Sequence, residues 1–178
     1  MTLAELKALV RTVPDFPAKG IQFRDITTLI DHADGFRATV DYLAQSVSDT
    51  NATKIAGMEA RGFIFGAAVA AVARLGFVPI RKPGKLPVPV ITADYDLEYG
   101  TDRLELDPSL IDEGENIAIV DDLIATGGTA CAAVDLLRKA GADVTAAAFV
   151  IALPDLGGCE KLASRGISVR YLMEFEGD

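Results

Sequence analysis

Ile119-Val120-Asp121-Asp122-Leu123-Ile124-Ala125-Thr126-Gly127-Gly128-Thr129 is the stretch that decides the fold of this chain. The four apolar residues 117–120 are typical of a buried strand, and two adjacent carboxylates follow them. The chain then passes through small residues and two glycines into residues 129–140, where we expect a helix that ends at Gly141. A Gly-rich turn between a buried strand and a helix predicts an anion site at the helix N-terminus.

The chemistry of this loop suits a phosphate on a sugar that carries a cis-diol. Backbone N–H groups, the helix dipole and the hydroxyls of Thr126 and Thr129 attract a phosphate. Asp121 and Asp122 would repel it, and they suit instead diol hydroxyls or a hydrated magnesium ion. The nucleotide P-loop needs Lys-Ser/Thr after its last glycine, and the dinucleotide loop lacks a preceding acid pair. The sequence therefore predicts a ribose 5-phosphate site, with an ordinary capped turn after an acidic strand end as the alternative.

The rest of the chain alternates predicted strands and helices. Predicted strands are residues 54–58, 77–81, 117–120, 144–153 and 168–175. Predicted helices are a short one after the Thr2-x-x-Glu5 capping pattern and residues 34–48, 63–75, 129–140 and 158–164. We expect an ordered loop at 13–26, and two edge strands at 88–92 and 103–106 joined by a mobile excursion. This order predicts an α/β fold with a central, mostly parallel sheet, helices on both faces, and ligands beyond the carboxyl ends of the strands.

Composition limits the functions that the chain can have. A net charge of −9 over 178 residues argues against general binding to nucleic acid or to an anionic membrane. No apolar stretch approaches the ~20 residues that span a bilayer, and no secretory signal is recognised at the N-terminus. Cys131 and Cys159 lack neighbours at metal spacing, so we expect neither zinc nor a disulfide framework, and a cytoplasmic protein. The acidic charge is reversed locally by Arg81, Lys82 and Lys85. This basic cluster has two interpretations: an anion site, or a solvated basic loop.

An apolar strand, Asp-Asp and then Ala-Thr-Gly-Gly-Thr is the signature of type I phosphoribosyltransferases, and four more blocks extend the resemblance. They are Phe23-Arg24-Asp25-Ile26, Gly57-Met58-Glu59-Ala60-Arg61-Gly62-Phe63, Arg81-Lys82-Pro83-Gly84-Lys85-Leu86-Pro87 and Tyr95-Asp96-Leu97-Glu98-Tyr99-Gly100. Together, and in this order, the blocks resemble the adenine phosphoribosyltransferases of that family. The resemblance implies one domain over 1–178, with a small N-terminal hood that binds the base (1–33), a core (34–178) and a flexible active-site loop.

The reaction that the resemblance implies is transfer of a phosphoribosyl group from phosphoribosyl pyrophosphate to adenine. The products are AMP and pyrophosphate, as in purine salvage, and a homodimer is implied as well. Mg²⁺ is expected to bind mainly through substrate oxygens, without an assigned protein ligand, although Asp121 or Asp122 could hold it through water. Two alternatives stay open: a phosphoribosyltransferase for another purine base, and a non-catalytic regulator that senses phosphoribosyl pyrophosphate.

The resemblance also assigns roles to individual residues. Glu98 is expected to handle the proton at the purine, Tyr99 to close over the site, and Arg61 and Asp122 to complete the catalytic set. The base-binding residues are expected to be Gln22, Phe23 and Arg24. The pyrophosphate residues are expected to be Glu59, Ala60, Arg61, Arg81, Lys82 and Lys85, with a cis peptide bond between Glu59 and Ala60. The ribose phosphate residues are expected to be Asp121, Asp122, Ala125, Thr126, Gly127, Gly128 and Thr129. Gln22 stands where family members often carry a small apolar residue, so the choice of purine stays open there.

Overall fold

The computed structural model of the chain describes residues 1–96 and 101–177. Its helices are α1 (Leu3–Ala8), α2 (Thr27–Asp31), α3 (Ala33–Val47), α4 (Arg61–Ala73), α5 (Gly128–Lys139) and α6 (Gly158–Ala163). Its strands are β1 (Arg11–Pro14), β2 (Gln22–Asp25), β3 (Lys54–Met58), β4 (Gly76–Ile80), β5 (Ile91–Asp96), β6 (Thr101–Leu106), β7 (Asn116–Ile124), β8 (Asp143–Ala152) and β9 (Ser168–Glu174). No helix within these residues is long and apolar enough to cross a bilayer.

The central sheet has five parallel strands in the order β4-β3-β7-β8-β9. From β3 the chain winds outward through α4 to β4, whereas from β7 it winds the other way to β8 and β9. The strand order therefore reverses between β3 and β7, and ligands of open α/β sheets bind at such a switch point. The predicted α/β class with a parallel sheet is confirmed.

Alternation along β7 divides the core into two layers. Ile117 and Ile119 belong to the cluster that packs beneath α5, while Ala118 and Val120 belong to the cluster beneath α3 and α4. Successive side chains of a strand point to opposite faces, so a strand covered on both faces is apolar at every position. This is why residues 117–120 form a continuous apolar run.

Two segments differ from the expectation. Residues 13–26 are not one loop, because β1 and β2 pair as an antiparallel hairpin in which Val13 lies opposite Phe23. Its strands have only four residues each, with Pro14 at the end of β1, so the loop residues dominated the pattern. The second segment, β5 and β6, forms a separate antiparallel ribbon that packs on α5 and does not extend the central sheet.

Several element boundaries also move, among them the end of β7, both ends of α4, and β5, which covers Ile91–Asp96 instead of 88–92. Asp121 and Asp122 are the sixth and seventh residues of β7, so the strand continues past the acid pair instead of ending before it. Helix α4 starts at Arg61, two residues before the expected start, and ends at Ala73. Its C-cap residue, Arg74, adopts the left-handed conformation with φ 58°. Gly76 was expected to stop this helix, but it begins β4.

Candidate active site

The carboxyl ends of β3 and β7 open onto one cleft of about 280 Å³. It is lined by Met58, Glu59, Ala60, Arg61, Lys82, Tyr95 and residues 121–130. These residues come from three strand ends, the start of α4, the start of α5 and the β5–β6 ribbon. The cleft therefore lies at the switch point of the sheet, where the fold predicts a ligand.

The loop between β7 and α5 presents free backbone donors to this cleft. Gly127 is the N-cap residue of α5 in the left-handed conformation, with φ 75°, and no described side chain caps the helix. The first N–H groups of an α-helix have no acceptor within the helix, so they are available to an anion. Gly158 supports the loop from behind: its N–H donates to the Ala125 carbonyl at 3.0 Å. A Cβ atom at Gly158 would lie 2.2 Å from that carbonyl oxygen, so only glycine allows this approach.

The acid pair lies at the floor of the cleft and is largely buried. Asp121 is 9% exposed and Asp122 is 4% exposed. The Asp121 Oδ1 atom accepts from the Asp122 N–H at 2.8 Å, and Arg61 Nε lies 2.9 Å from Asp122 Oδ2. This ion pair lacks hydrogen-bond geometry, so the buried Oδ2 has no hydrogen-bond partner among the described residues. An orphaned carboxylate oxygen beside a ligand cleft is suited to a hydroxyl or a metal-bound water.

Burial shifts the titration of both carboxyl groups upward. Desolvation is the main cause that raises the pKa of Asp121, and the neighbouring Asp122 charge adds to it. Desolvation also raises the pKa of Asp122, although the Arg61 charge opposes that rise. Two like charges this close, and this poorly solvated, disfavour double ionisation. A ligand that donates hydrogen bonds or brings a cation would stabilise the ionised pair.

On the opposite wall, Glu59 organises the basic residues that follow β4. The peptide bond between Glu59 and Ala60 is cis, as predicted. The Glu59 carboxylate accepts from Arg81 Nε at 2.9 Å and from the Lys82 N–H at 3.0 Å. Hydrogen bonding from Arg81 is the main cause that lowers the pKa of Glu59. Glu59 thus neutralises Arg81, and the cations that line the cleft itself are Arg61 and Lys82.

A second cleft of about 380 Å³ adjoins the first and is mainly apolar. It is lined by Val13, Phe16, Phe23, Asp25, Ile26, Thr27 and Arg61. The Phe16 and Phe23 rings meet edge to face with centroids 5.1 Å apart, and the Arg61 guanidinium lies 5.4 Å from the Phe23 centroid. Aromatic and guanidinium faces of this kind suit a flat heterocycle. Arg61 lines both clefts, so it marks where two ligand parts would meet.

Neighbouring residues in β2 point to opposite faces, so Phe23 and Arg24 have different surroundings. Arg24 faces away from the cleft: its guanidinium lies 4.7 Å from the Phe175 ring centroid and donates to the Glu176 carbonyl at 3.0 Å. It also donates to Thr12 Oγ1 at 2.7 Å. The Arg24 side chain therefore ties the hairpin to the C-terminal segment.

The predicted site residues fall into three groups. Those that line the first cleft are Glu59, Ala60, Arg61, Lys82, Asp121, Asp122, Ala125, Thr126, Gly127, Gly128 and Thr129, and Phe23 lines the second. Side chains outside the lining of both clefts are Gln22, Arg24, Arg81 and Lys85. Glu98 and Tyr99 lie outside the described residues.

Sequence reasoning missed several residues of the two clefts, among them Tyr95, Phe16, Thr27 and the supporting Gly158. The sequence did carry one local signal for Thr27, because an Asp two residues before a Thr often bonds to it. Here Asp25 accepts from both the N–H and the hydroxyl of Thr27, at 2.9 and 2.6 Å. These bonds, followed by that from Arg11, lower the pKa of Asp25 to about 2. Tyr95 and Phe16 reach the clefts only through long-range packing, which no local pattern shows.

Comparison with known families agrees with this geometry. The family model for the phosphoribosyl transferase domain matches residues 27–171. That range includes the acid pair, the glycine loop and the turn after β3. The chain belongs to the phosphoribosyltransferase family.

Individual relatives show which phosphoribosyltransferases the chain resembles most clearly. The chain is 63% identical over 177 residues to an adenine phosphoribosyltransferase of Erythrobacter litoralis, with 99% of both chains covered. The crystal structure of adenine phosphoribosyltransferase from Thermoanaerobacter pseudethanolicus has a TM-score of 0.94 at 44% identity, covering 98% of this chain and 100% of that one. The Saccharomyces cerevisiae enzyme, crystallised with an imino-altritol bisphosphate and adenine, has a TM-score of 0.88 at 37% identity, covering 96% and 98%. Within its family, the chain groups with the adenine phosphoribosyltransferases, and the predicted resemblance is confirmed.

Proposed function

We propose that this chain transfers the phosphoribosyl group of phosphoribosyl pyrophosphate to adenine, which yields AMP and pyrophosphate. The observation that carries the proposal is the junction of two clefts at Arg61: one built for phosphates and a diol, the other for a flat base. The reacting anomeric carbon would lie at this junction. The relative from Saccharomyces cerevisiae that was crystallised with adenine supports the choice of base.

Each part of the substrates has a proposed partner in the two clefts. The 5-phosphate binds the N–H groups and hydroxyls of residues 125–129, and the ribose diol binds Asp121 and Asp122. Pyrophosphate binds the turn at 59–61 and Lys82 in the first cleft, and the basic residues 81 and 85, which lie outside its lining, complete the proposed set. The base stacks on Phe23, which belongs to the hood, residues 1–33. The hood and the core, residues 34–178, make one domain. Gln22 and Arg24 would contact the base through their backbone, since the Arg24 side chain is engaged elsewhere.

Catalysis in this proposal is electrostatic and positional and uses no protein nucleophile. Loss of pyrophosphate gives the ribose oxocarbenium character, which the Asp122 carboxylate would stabilise, while Arg61 holds the departing anion. Glu98 is proposed to handle the proton of the purine, and Tyr99 to close over the site.

Magnesium fits the site in one particular way. Within residues 1–96 and 101–177, no three His, Cys, Asp or Glu side chains cluster to form a metal cage. The orphaned Asp122 Oδ2 atom, in contrast, suits a water molecule on an ion held mainly by substrate oxygens. Mg²⁺ bound in this way would neutralise the pyrophosphate as it leaves.

Pyrophosphate release with a panel of bases tests the proposed function. With phosphoribosyl pyrophosphate and Mg²⁺, we expect release in the presence of adenine and none with hypoxanthine, guanine or xanthine, and we expect a chelator to abolish it. A backbone carbonyl that accepts the adenine amine would be left unpaired by the 6-oxopurines. Release with a 6-oxopurine would assign another purine to the enzyme. Binding of phosphoribosyl pyrophosphate without release would favour the regulator.

We also propose a homodimer and a cytoplasmic location. Residues 62–73 of α4 carry no charge, and the outer face of this helix exposes Ile64, Ala67, Ala71 and Val72. The exposed fraction is 39% for Ile64 and 56% for Val72. A helix that is apolar all round is normally covered, and a second copy of this chain is the proposed cover. Cys131 and Cys159 are both free thiols, as is usual in the reducing cytoplasm.

Charge introduced on the outer face of α4 should separate the subunits. Val72→Glu is expected to convert a dimer into a monomer, because the carboxylate would be buried without a partner at the interface. Light scattering coupled to gel filtration measures the mass. Ala4→Glu, on the exposed side of α1, is the control and should leave the dimer intact. A dimer that persists in Val72→Glu would place the interface elsewhere.

A further inference from the structure

Three side chains form a closed hydrogen-bond network at the edge of the first cleft. Lys82 Nζ donates to Tyr95 Oη at 2.7 Å and forms an ion pair with Asp102 Oδ2. Tyr95 Oη in turn donates to the same Asp102 oxygen at 2.9 Å. Lys82 and Tyr95 line the cleft, whereas Asp102 lies behind them and does not.

The backbone fixes the positions of both acceptors. Tyr95 in β5 and Asp102 in β6 are directly opposite each other in the antiparallel ribbon. The ribbon is joined to the segment that carries Lys82 by two hydrogen bonds between Arg81 and Glu105, at 2.9 and 2.8 Å. The distance between the lysine and its acceptors is therefore set by paired strands rather than by flexible side chains alone.

An ammonium group has three donors, and this network uses two of them. We propose that Asp102 is a positioning residue for phosphoribosyl transfer: with Tyr95 it holds Lys82 Nζ so that the third donor faces the anion in the cleft. The inference rests on the proposed function, which places pyrophosphate beside Lys82. Asp102 itself touches no substrate and acts only through the lysine.

The electrostatics of the network agree with this role. Burial alone would lower the pKa of Lys82, but the hydrogen bonds to Asp102 and Tyr95 raise it above its ordinary value. The lysine is therefore kept charged in a partly desolvated place, as a partner of a polyanion must be. An opposing possibility is that Asp102 competes with pyrophosphate for the ammonium, and the two ideas predict opposite changes in affinity.

Asp102→Ala distinguishes the two ideas by its effect on each substrate. We expect KM for phosphoribosyl pyrophosphate to rise about tenfold, which is the size of one lost charge-assisted hydrogen bond. KM for adenine and kcat should stay within about twofold of the parental values. Asp102→Asn retains an acceptor for the lysine and should recover most of the loss. Asp94→Ala is the matched control: Asp94 pairs with Arg103 on the same ribbon and does not touch Lys82, so all constants should stay unchanged.

Direct binding of pyrophosphate, measured by calorimetry on the folded variants, separates this inference from the proposed function. If the parent protein binds pyrophosphate but does not release it with adenine, the proposed function fails while the positioning role is still tested by affinity. Weaker pyrophosphate binding in Asp102→Ala, with recovery in Asp102→Asn, supports the role. Unchanged or tighter binding overturns it, and so does an equal loss for adenine, which would indicate a general structural defect.

Discussion

Asp122→Ala is expected to lower turnover by about 10² or more, and Arg61→Ala by a similar factor, as is typical for one preorganised electrostatic group. The two side chains meet at the junction of the clefts, with Arg61 Nε 2.9 Å from Asp122 Oδ2. In the proposed mechanism, removal of Asp122 deprives the ribose of a buried carboxylate, and removal of Arg61 deprives pyrophosphate of its clamp. Because they act at one centre, the double variant should lose less than the product of the single losses.

Steady-state release of pyrophosphate with adenine measures these losses, and two exposed residues provide the controls. Arg37 on α3 and Asp143 at the start of β8 are exposed, and neither residue lines a cleft. Arg37→Ala and Asp143→Ala repeat the same changes of charge and should keep parental turnover. Near-parental rates in Arg61→Ala and Asp122→Ala, with intact folding by circular dichroism, would refute the assignment of this site.

The pH dependence of Arg61→Ala gives the same hypothesis an independent test. The Arg61 charge lowers the pKa of Asp122, in opposition to burial. Its removal should raise that pKa, so the protonated and inactive carboxyl would persist to higher pH. We expect the acid limb of the kcat/KM profile of the variant to move to higher pH. A limb that stays in place or moves down would show that Asp122 does not govern it.

Local signals in the sequence were sufficient for most elements of the fold. The Thr2-x-x-Glu5 pattern predicted the capping box of α1, which forms with both of its hydrogen bonds. The loop between β7 and α5 was equally visible, because the strand, the acids and the glycines that build it are contiguous. In such segments the chemistry of neighbouring residues decides the structure, and no distant contact overrides it.

The clefts needed information that a linear pattern does not carry. Phe23 and Phe16 meet through the pairing of the β1–β2 hairpin, whose two short strands are separated by a loop with Pro17 and Gly20. Lys82 meets Asp102 only because the ribbon folds back onto the segment after β4. Each of these contacts joins residues that are several to many positions apart in the sequence. The local sequence around one residue therefore does not predict its partner. Sequence alone could name the basic block, but not which of its charges would be neutralised.

Asp121→Asn is expected to stabilise the protein while it removes activity. Asp121 is a buried carboxylate beside a second one, and its Oδ1 atom only accepts from the Asp122 N–H, which an amide oxygen can also do. Neutralisation of Asp121 should therefore raise the free energy of unfolding by about 1 kcal/mol or more at pH 8. For a chain of this size, that corresponds to a rise of about 2–4 °C in Tm. Turnover should fall by about 10², because the proposed ribose diol would lose an acceptor of full charge.

The pH dependence of the stability gain in Asp121→Asn shows whether the gain comes from removal of a buried charge or from a change in packing. The pKa of Asp121 is raised in the folded protein, so the parent loses stability as pH rises above the unfolded-state pKa, and the loss is complete once pH exceeds the raised value. Below the unfolded-state pKa of about 4, position 121 is neutral in both proteins and the gain should vanish. Thermal unfolding at about pH 3 and at pH 8 measures this difference, with Asp143→Asn as the exposed control. A gain that is equal at both pH values would point to packing, and a lower Tm at pH 8 would show that the buried charge is compensated by its surroundings.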